Sequence, residues 1–239
     1  MKRLLFLSGT ARAGTSALVN ILNQHNHILM GQERYFFKFR KNVIVRGHFE
    51  RGRFLNMRPD DTHDKATLAG VIKDPEARYD NAVYIGDKFP PMFRHLDHVF
   101  KHFPKARHIY ILRNPLSVAE SYEARFQNKD DKWTQNWEVG LEAWNESVRI
   151  IADLPEERLQ HFTFVQYEEI YATPKAINAL FTRLGLSNLE EEVLEPYTAK
   201  FAELIHKPVP RRDDIRLQVS RRADWDSYRK LGATIETRY

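Results

Sequence analysis

Short apolar runs of strand character alternate with stretches of helical spacing along most of the chain. The first run, residues 3–7, leads into a glycine-bracketed turn, after which Leu18, Ile21 and Leu22 fall on one helix face. Further strands are predicted at 82–85, 108–112 and 162–165. Helices are predicted at 117–126 and 174–184, the second opened by Pro174 and stopped by Gly185. Trp137, Leu141, Trp144, Val148 and Ile151 mark the buried stripe of a long helix between them. Alternation of this kind predicts one α/β domain over 1–239, with a mostly parallel sheet flanked by helices.

Two stretches break the pattern. In the first, Arg34, Lys38, Arg40, Lys41, Arg46, Arg51, Arg53 and Arg58 are opposed only by Glu50, with Tyr35, Phe36, Phe37, Phe39, Phe49 and Phe54 interleaved. It reads as a basic aromatic insertion over about 34–62. In the second, from about 207 to 239, arginines are frequent and periodicity is weak, so a loop that closes over the domain is expected.

Composition narrows the classes. The 239 residues include no cysteine, which excludes disulfide scaffolds, cysteine-ligated zinc and thiol catalysis. The net charge of +5 favours an anionic ligand, though only weakly. A strand that starts at residue 3 leaves no room for a signal peptide, and no apolar run nears the roughly 18 residues needed to span a membrane. A soluble, cytoplasmic protein is expected.

The chemistry starts at Gly9-Thr10-Ala11-Arg12-Ala13-Gly14-Thr15-Ser16. Gly9 and Gly14 have the spacing of a phosphate-binding P-loop, and strand, turn and helix follow in the order such a loop requires. Backbone N–H groups and the positive end of the helix dipole would converge there on an anion. Thr15 stands where a kinase or ATPase loop has lysine, so the only loop cation is Arg12.

Read with the stretch Tyr110-Ile111-Leu112-Arg113-Asn114-Pro115 and its following helix, this loop resembles the sulfotransferase family that uses 3′-phosphoadenosine 5′-phosphosulfate (PAPS). The family's 5′-phosphosulfate motif, Lys/Arg-Ser-Gly-Thr-[ST], is similar to residues 12–16, with Ala13 replacing serine. Its 3′-phosphate motif, an arginine with a serine eight residues on, is matched by Arg113 and Ser121. A third similarity runs from Tyr167-Glu168-Glu169 through Pro174 to Leu184-Gly185-Leu186. The resemblance implies PAPS as sulfuryl donor, adenosine 3′,5′-bisphosphate (PAP) as product, and no metal. It puts Tyr167 near the adenine, although core packing suits that tyrosine equally. It also suggests Arg221 or Arg222 as a late contact to the 3′-phosphate, against a reading as a solvated pair.

The family takes its general base from histidine or glutamate. Lys88 is followed by Phe89 and Pro90 where the histidine type has Thr-His, so that base is missing. The segment Met30-Gly31-Gln32-Glu33-Arg34-Tyr35 resembles the glutamate type of carbohydrate and tyrosylprotein sulfotransferases, which nominates Glu33 as base. Lys88 and Arg12 would then attend the leaving oxygen. As bland alternatives, Glu33 is a surface or capping carboxylate and Lys88 a solvated lysine. Asn26 departs from the family's His-Pro, and His25 and His27 read as structural. His95 and His98 share a helix face without a third metal ligand. The acceptor is expected to be a small molecule, glycan or peptide bearing a hydroxyl or amine, and the basic insertion, expected to line its cleft, would suit an anionic one. Nucleic acid is not expected. Two other readings stay open: a P-loop small-molecule kinase, and a non-catalytic nucleotide- or polyanion-binding protein.

Overall fold

The computed structural model describes residues 2–62, 74–206 and 212–238. Its strands β1 (Arg3–Gly9), β2 (Ile28–Gln32), β3 (Tyr84–Lys88), β4 (Arg107–Leu112) and β5 (Phe162–Gln166) form one sheet in the order β2-β3-β1-β4-β5. Every neighbouring pair is parallel. Parallel neighbours need long crossovers, and here helices supply them. In chain order these are α1 (Thr15–Leu22), α2 (Phe36–Arg40), α3 (Arg51–Leu55), α4 (Pro75–Asn81), α5 (Leu96–His102), α6 (Pro115–Phe126) and α7 (Trp137–Ala152). After them come α8 (Glu156–Leu159), α9 (Tyr167–Ile170), α10 (Pro174–Arg183), α11 (Glu191–His206), α12 (Asp213–Arg222) and α13 (Trp225–Arg238). The sheet, and the helices on both its faces, give the α/β class that the alternating pattern predicts.

Period-2 alternation along β1 divides the core in two. Leu4 and Phe6 join Ile85, Phe89, Tyr110 and Trp144 on one face, while Leu5 and Leu7 join Leu18, Ile109, Ile111 and Leu180 on the other. Both layers are closed, which is why the strands read as near-continuous apolar runs. The stripe of α7 is buried at Leu141, Trp144, Val148 and Ile151, and the Trp144 indole donates to the Arg113 carbonyl at 2.9 Å. His25 is buried against the Ser187 carbonyl at 3.1 Å, and His27 reaches the Asn81 carbonyl at 3.1 Å.

Two expectations are corrected. β2 has no counterpart among the predicted strands, because its apolar run, Ile28 to Met30, is too short to stand out beside a histidine-flanked turn. The tail is helical at α12 and α13 rather than a loop. Those helices hide behind sparse apolar positions, with Ile215 and Val219 buried on the first, and Leu231 and Ile235 on the second. Within the basic aromatic stretch, several rings and one arginine are packed inside the fold. Tyr35, Phe39, Phe49 and Phe54 are core residues, and Arg34 is fully buried on Asp61 at 2.5 Å. Arg53 pairs with the same carboxylate and Lys38 pairs with Asp60, acids that lie just past the basic run.

Among the described residues no helix is long and apolar enough to cross a membrane. No group of three histidine, aspartate or glutamate side chains there is arranged to hold a metal ion. His95 and His98 turn instead to Asn42 and to the Ile44 carbonyl, each at 2.8 Å.

Candidate functional site

A parallel sheet gathers the loops that follow its strands along one edge, and the crevice opens where the crossovers change direction. In this sheet the change falls at β1, which lies between β3 and β4. At or just past the C-terminal end of β1 comes the glycine-bracketed loop, after β2 Glu33, in β3 Lys88, after β4 Arg113, and after β5 Tyr167. Five separate segments of sequence thereby meet at one rim.

The loop from Gly9 to Ser16 takes its shape from backbone angles few residues accept. Gly14, at φ 92°, caps α1, and a Cβ there would lie 2.6 Å from the Tyr167 ring. Arg12 is left-handed at φ 68°, a strained state for a side chain with a Cβ. Thr10 accepts the Ala13 N–H at 3.0 Å, and the Tyr171 hydroxyl donates to the Gly14 carbonyl at 2.8 Å. Ala11 packs on the core and Ala13 and Thr15 are buried, which leaves Ser16 facing outward. The first N–H groups of α1 have no partner within the helix.

Arg12, Arg113 and Ser121 come together. The Arg12 Nε donates to the Ser121 Oγ at 3.1 Å, and the Arg113 Nη1 donates to the Arg12 carbonyl at 2.5 Å. The Arg113 guanidinium lies 4.0 Å from the centre of the Tyr167 ring, and its Nε is buried with no hydrogen-bond partner. All four side chains line a cleft of about 580 Å³ with Ser117, Glu120, Phe201 and Leu204. Burial, then the like charges of Arg125 and Arg113, pull the Arg12 guanidinium below the usual arginine value. Two carboxylates share the lining: Glu120, held by Arg216, and Glu168, which accepts the Asn114 N–H at 3.0 Å.

A second, mostly apolar groove of about 340 Å³ adjoins it, lined by Gly14, Ala17, Tyr167, Tyr171, Tyr197 and Phe201 among others. Tyr167, Phe201 and Leu204 belong to both.

On the other side of the loop, the Lys88 Nζ donates to Glu33 Oε1 at 2.6 Å and to Ser16 Oγ at 3.2 Å. Glu33 is left-handed too, at φ 58°, and its N–H goes to the Lys88 carbonyl at 2.8 Å. The neighbouring Asp87 is fully buried and accepts the N–H of Arg34 at 3.0 Å and of Tyr35 at 2.8 Å.

Arg221 and Arg222 lie elsewhere. They end α12, neither is among the residues that line the cleft, and Arg222 pairs with Glu138 at 3.3 Å over the Trp137 ring. α12 reaches the cleft through Arg216, which holds Glu120 at 3.0 Å. Sequence reasoning missed Asp87, Arg125, Tyr171, Ala17 and Phe201. A charge inside a buried strand was a usable signal for Asp87. Phe201 carries no local mark, since it reaches the groove through α11, which packs on α10 and sets the ring against Tyr167 and Tyr171.

The sulfotransferase family model matches residues 5–191. A search of curated proteins returns no match. Among solved structures, the chain resembles the sulfotransferase domain from the Synechococcus olefin synthase at 19% identity and TM-score 0.54, covering 82% of this chain and 77% of that one. The sulfotransferase domain from the curacin biosynthetic pathway gives 19% identity and TM-score 0.53, with 82% and 78% covered. The sulfotransferase from Alicyclobacillus acidocaldarius gives 17% identity and TM-score 0.50, with 90% and 99% covered. At such identities the structural likeness speaks for the fold alone. The family match is different in kind because it follows the sequence through most of the chain, and by it the chain belongs to the sulfotransferase family.

Proposed function

We propose that the protein transfers the sulfuryl group of PAPS to an acceptor hydroxyl or amine, with Glu33 as general base and PAP as the released product. The observation that carries this reading is the meeting of Arg12, Arg113 and Ser121 in one cleft, with the Lys88–Glu33 pair tied to the same loop through Ser16. The donor set fits the nucleotide. Arg113 offers an unpartnered Nε to the 3′-phosphate, Ser121 adds a hydroxyl, and the start of α1 offers amides to the 5′-phosphosulfate. The adjoining apolar groove suits a flat purine, with Tyr167 between base and phosphate sites.

Sulfuryl transfer needs in-line approach, a base for the acceptor proton, and positive charge where the leaving oxygen becomes anionic. Glu33 takes the proton of the attacking group. The donor's S–O bond breaks as the acceptor's forms, and Lys88 and Arg12 stabilise the phosphate oxygen that departs. Lys88 touches both Glu33 and Ser16, so base and loop are joined by one side chain. A carbohydrate, peptide or small-molecule acceptor remains compatible with this site.

The test is transfer of radiolabelled sulfuryl from PAPS to a panel of glycans, phenols, alcohols and tyrosine peptides, with chelator present. Product is expected without added metal, and Glu33→Gln should lower kcat far more than PAP affinity. Magnesium-dependent phosphoryl transfer from ATP would instead support the kinase reading. Tight PAP binding with no turnover on any acceptor would support a binding protein.

A further inference from the structure

Glu33 stands in a turn that ought not to hold itself. Its left-handed φ of 58° is costly for a residue with a Cβ, and the residues after it form only the short α2. What secures the turn comes from the middle of the sheet. Asp87, on β3 and fully buried, accepts the Arg34 N–H on Oδ1 and the Tyr35 N–H on Oδ2. The two donors belong to the residues immediately after Glu33. Its sequence neighbour Lys88 accepts the Glu33 N–H on its carbonyl and grips the Glu33 carboxylate with its ammonium. Space for the Asp87 carboxylate is made by Gly31 on the paired strand, where a Cβ would lie 2.8 Å from Oδ1 and 2.5 Å from the Arg34 Cβ.

We propose that Asp87 is a positioning residue for the reaction: its carboxylate clamps the turn after β2 and thereby aims Glu33 at Lys88 and the acceptor. This rests on the reading of Glu33 as base. Asp87 lines neither the cleft nor the apolar groove, and acts through two backbone amides. Both carboxylate oxygens are needed as acceptors, so only the ionised form serves. Burial pushes the Asp87 carboxyl up to about 7, the Tyr35 and Arg34 amides and Lys88 pull against that, and Glu33 adds to it. The other charged or titratable groups around the turn include the Arg34 guanidinium, its partner Asp61, Arg53 on the same carboxylate, the buried Tyr35 phenol and the His48 ring beside it. Above about pH 7 the carboxylate accepts both amides. Below it, a proton turns one oxygen into a donor facing an N–H, and the turn slackens.

The experiment compares Asp87→Asn, Glu33→Gln and the double variant in PAPS-dependent turnover, with PAP affinity by calorimetry and amide exchange at Arg34 and Tyr35. Asp87→Asn should lower kcat on the order of 10- to 100-fold, the scale of a misplaced catalytic group. KM for PAPS and PAP affinity should stay within about twofold, the two amides should exchange faster, and the acid limb of kcat near pH 7 should disappear. The double variant should be no slower than Glu33→Gln alone, since both losses pass through one carboxylate. Asp87→Asn at the wild-type rate, with Glu33→Gln inactive, sinks the positioning role alone, whereas Glu33→Gln at the wild-type rate sinks the base reading beneath it. Multiplying losses in the double variant also overturn the proposal. Should Asp87→Asn fail to fold, Gly31→Ala displaces the same carboxylate without removing its charge. It should lower kcat while keeping the acid limb, and a wild-type rate there counts against the clamp.

Discussion

Arg113 does several things with one guanidinium. It donates to the Arg12 carbonyl, lies over the Tyr167 ring and keeps a buried Nε unpartnered in the cleft. Arg113→Ala would therefore loosen the loop as well as remove the proposed partner of the 3′-phosphate. PAP binding should weaken by roughly 2–4 kcal/mol, the cost of truncating one side of a buried charged pair, and an unchanged dissociation constant by calorimetry would take Arg113 out of the site. His108 makes the opposite point, a polar ring with nothing to bond. It is buried against Phe6, Phe100 and Phe162, with neither ring nitrogen in a hydrogen bond. Burial, then nearby His161, push its pKa down to about 3, against about 6.5 in an unfolded chain. The unfolded state therefore binds the extra proton below pH 6.5, and stability falls from there towards pH 3. His108→Leu should flatten that fall and raise neutral-pH stability by about 1–3 kcal/mol, the usual cost of unsatisfied polar groups. Urea unfolding between pH 4 and 7 decides it, and parallel curves for both proteins would be the contrary result.

At the scale of elements, the segment after β2 is held by a charge cluster rather than by its aromatics alone. Asp61 receives Arg34, Arg53 and the Arg58 N–H while fully buried. Burial alone would raise its carboxyl, but Arg53, the Arg58 amide and Arg34 together bring it down to about 2. An unfolded aspartate titrates near 3.9, so this stabilisation is complete above about pH 4 and lost as pH falls towards 2. Asp61→Asn strands the Arg34 charge in the core and should cost about 3–5 kcal/mol at neutral pH, with that acid dependence removed. A denaturation midpoint equal to the wild type's would contradict it. The same cluster explains a limit of sequence reading. A basic run from Arg34 to Arg58 reads as unopposed charge when its counter-charges, Asp60 and Asp61, follow beyond its end. Strands β1, β3, β4 and β5 were legible because two covered faces make them apolar without interruption. β2 was not, being three apolar residues and a glycine. In α12 the only buried apolar positions are Ile215 and Val219, too few to display a helical period. The meeting of the loop with Arg113 and Ser121 in one cleft could be anticipated because local chain order builds it. Asp87 and Phe201 enter through strand pairing and helix packing, which a linear pattern does not display.

For the whole molecule, the sheet order has a practical consequence. Every candidate site residue at a strand terminus belongs to the C-terminal rim, while Arg3, Ile28, Tyr84, Arg107 and Phe162 begin their strands at the opposite one. A tether to a bead or electrode fixed beside Arg3 would hold the protein by the end remote from its cleft. Immobilised that way, the molecule presents its opening to the bulk solution, and substrates as large as a polysaccharide keep a clear approach.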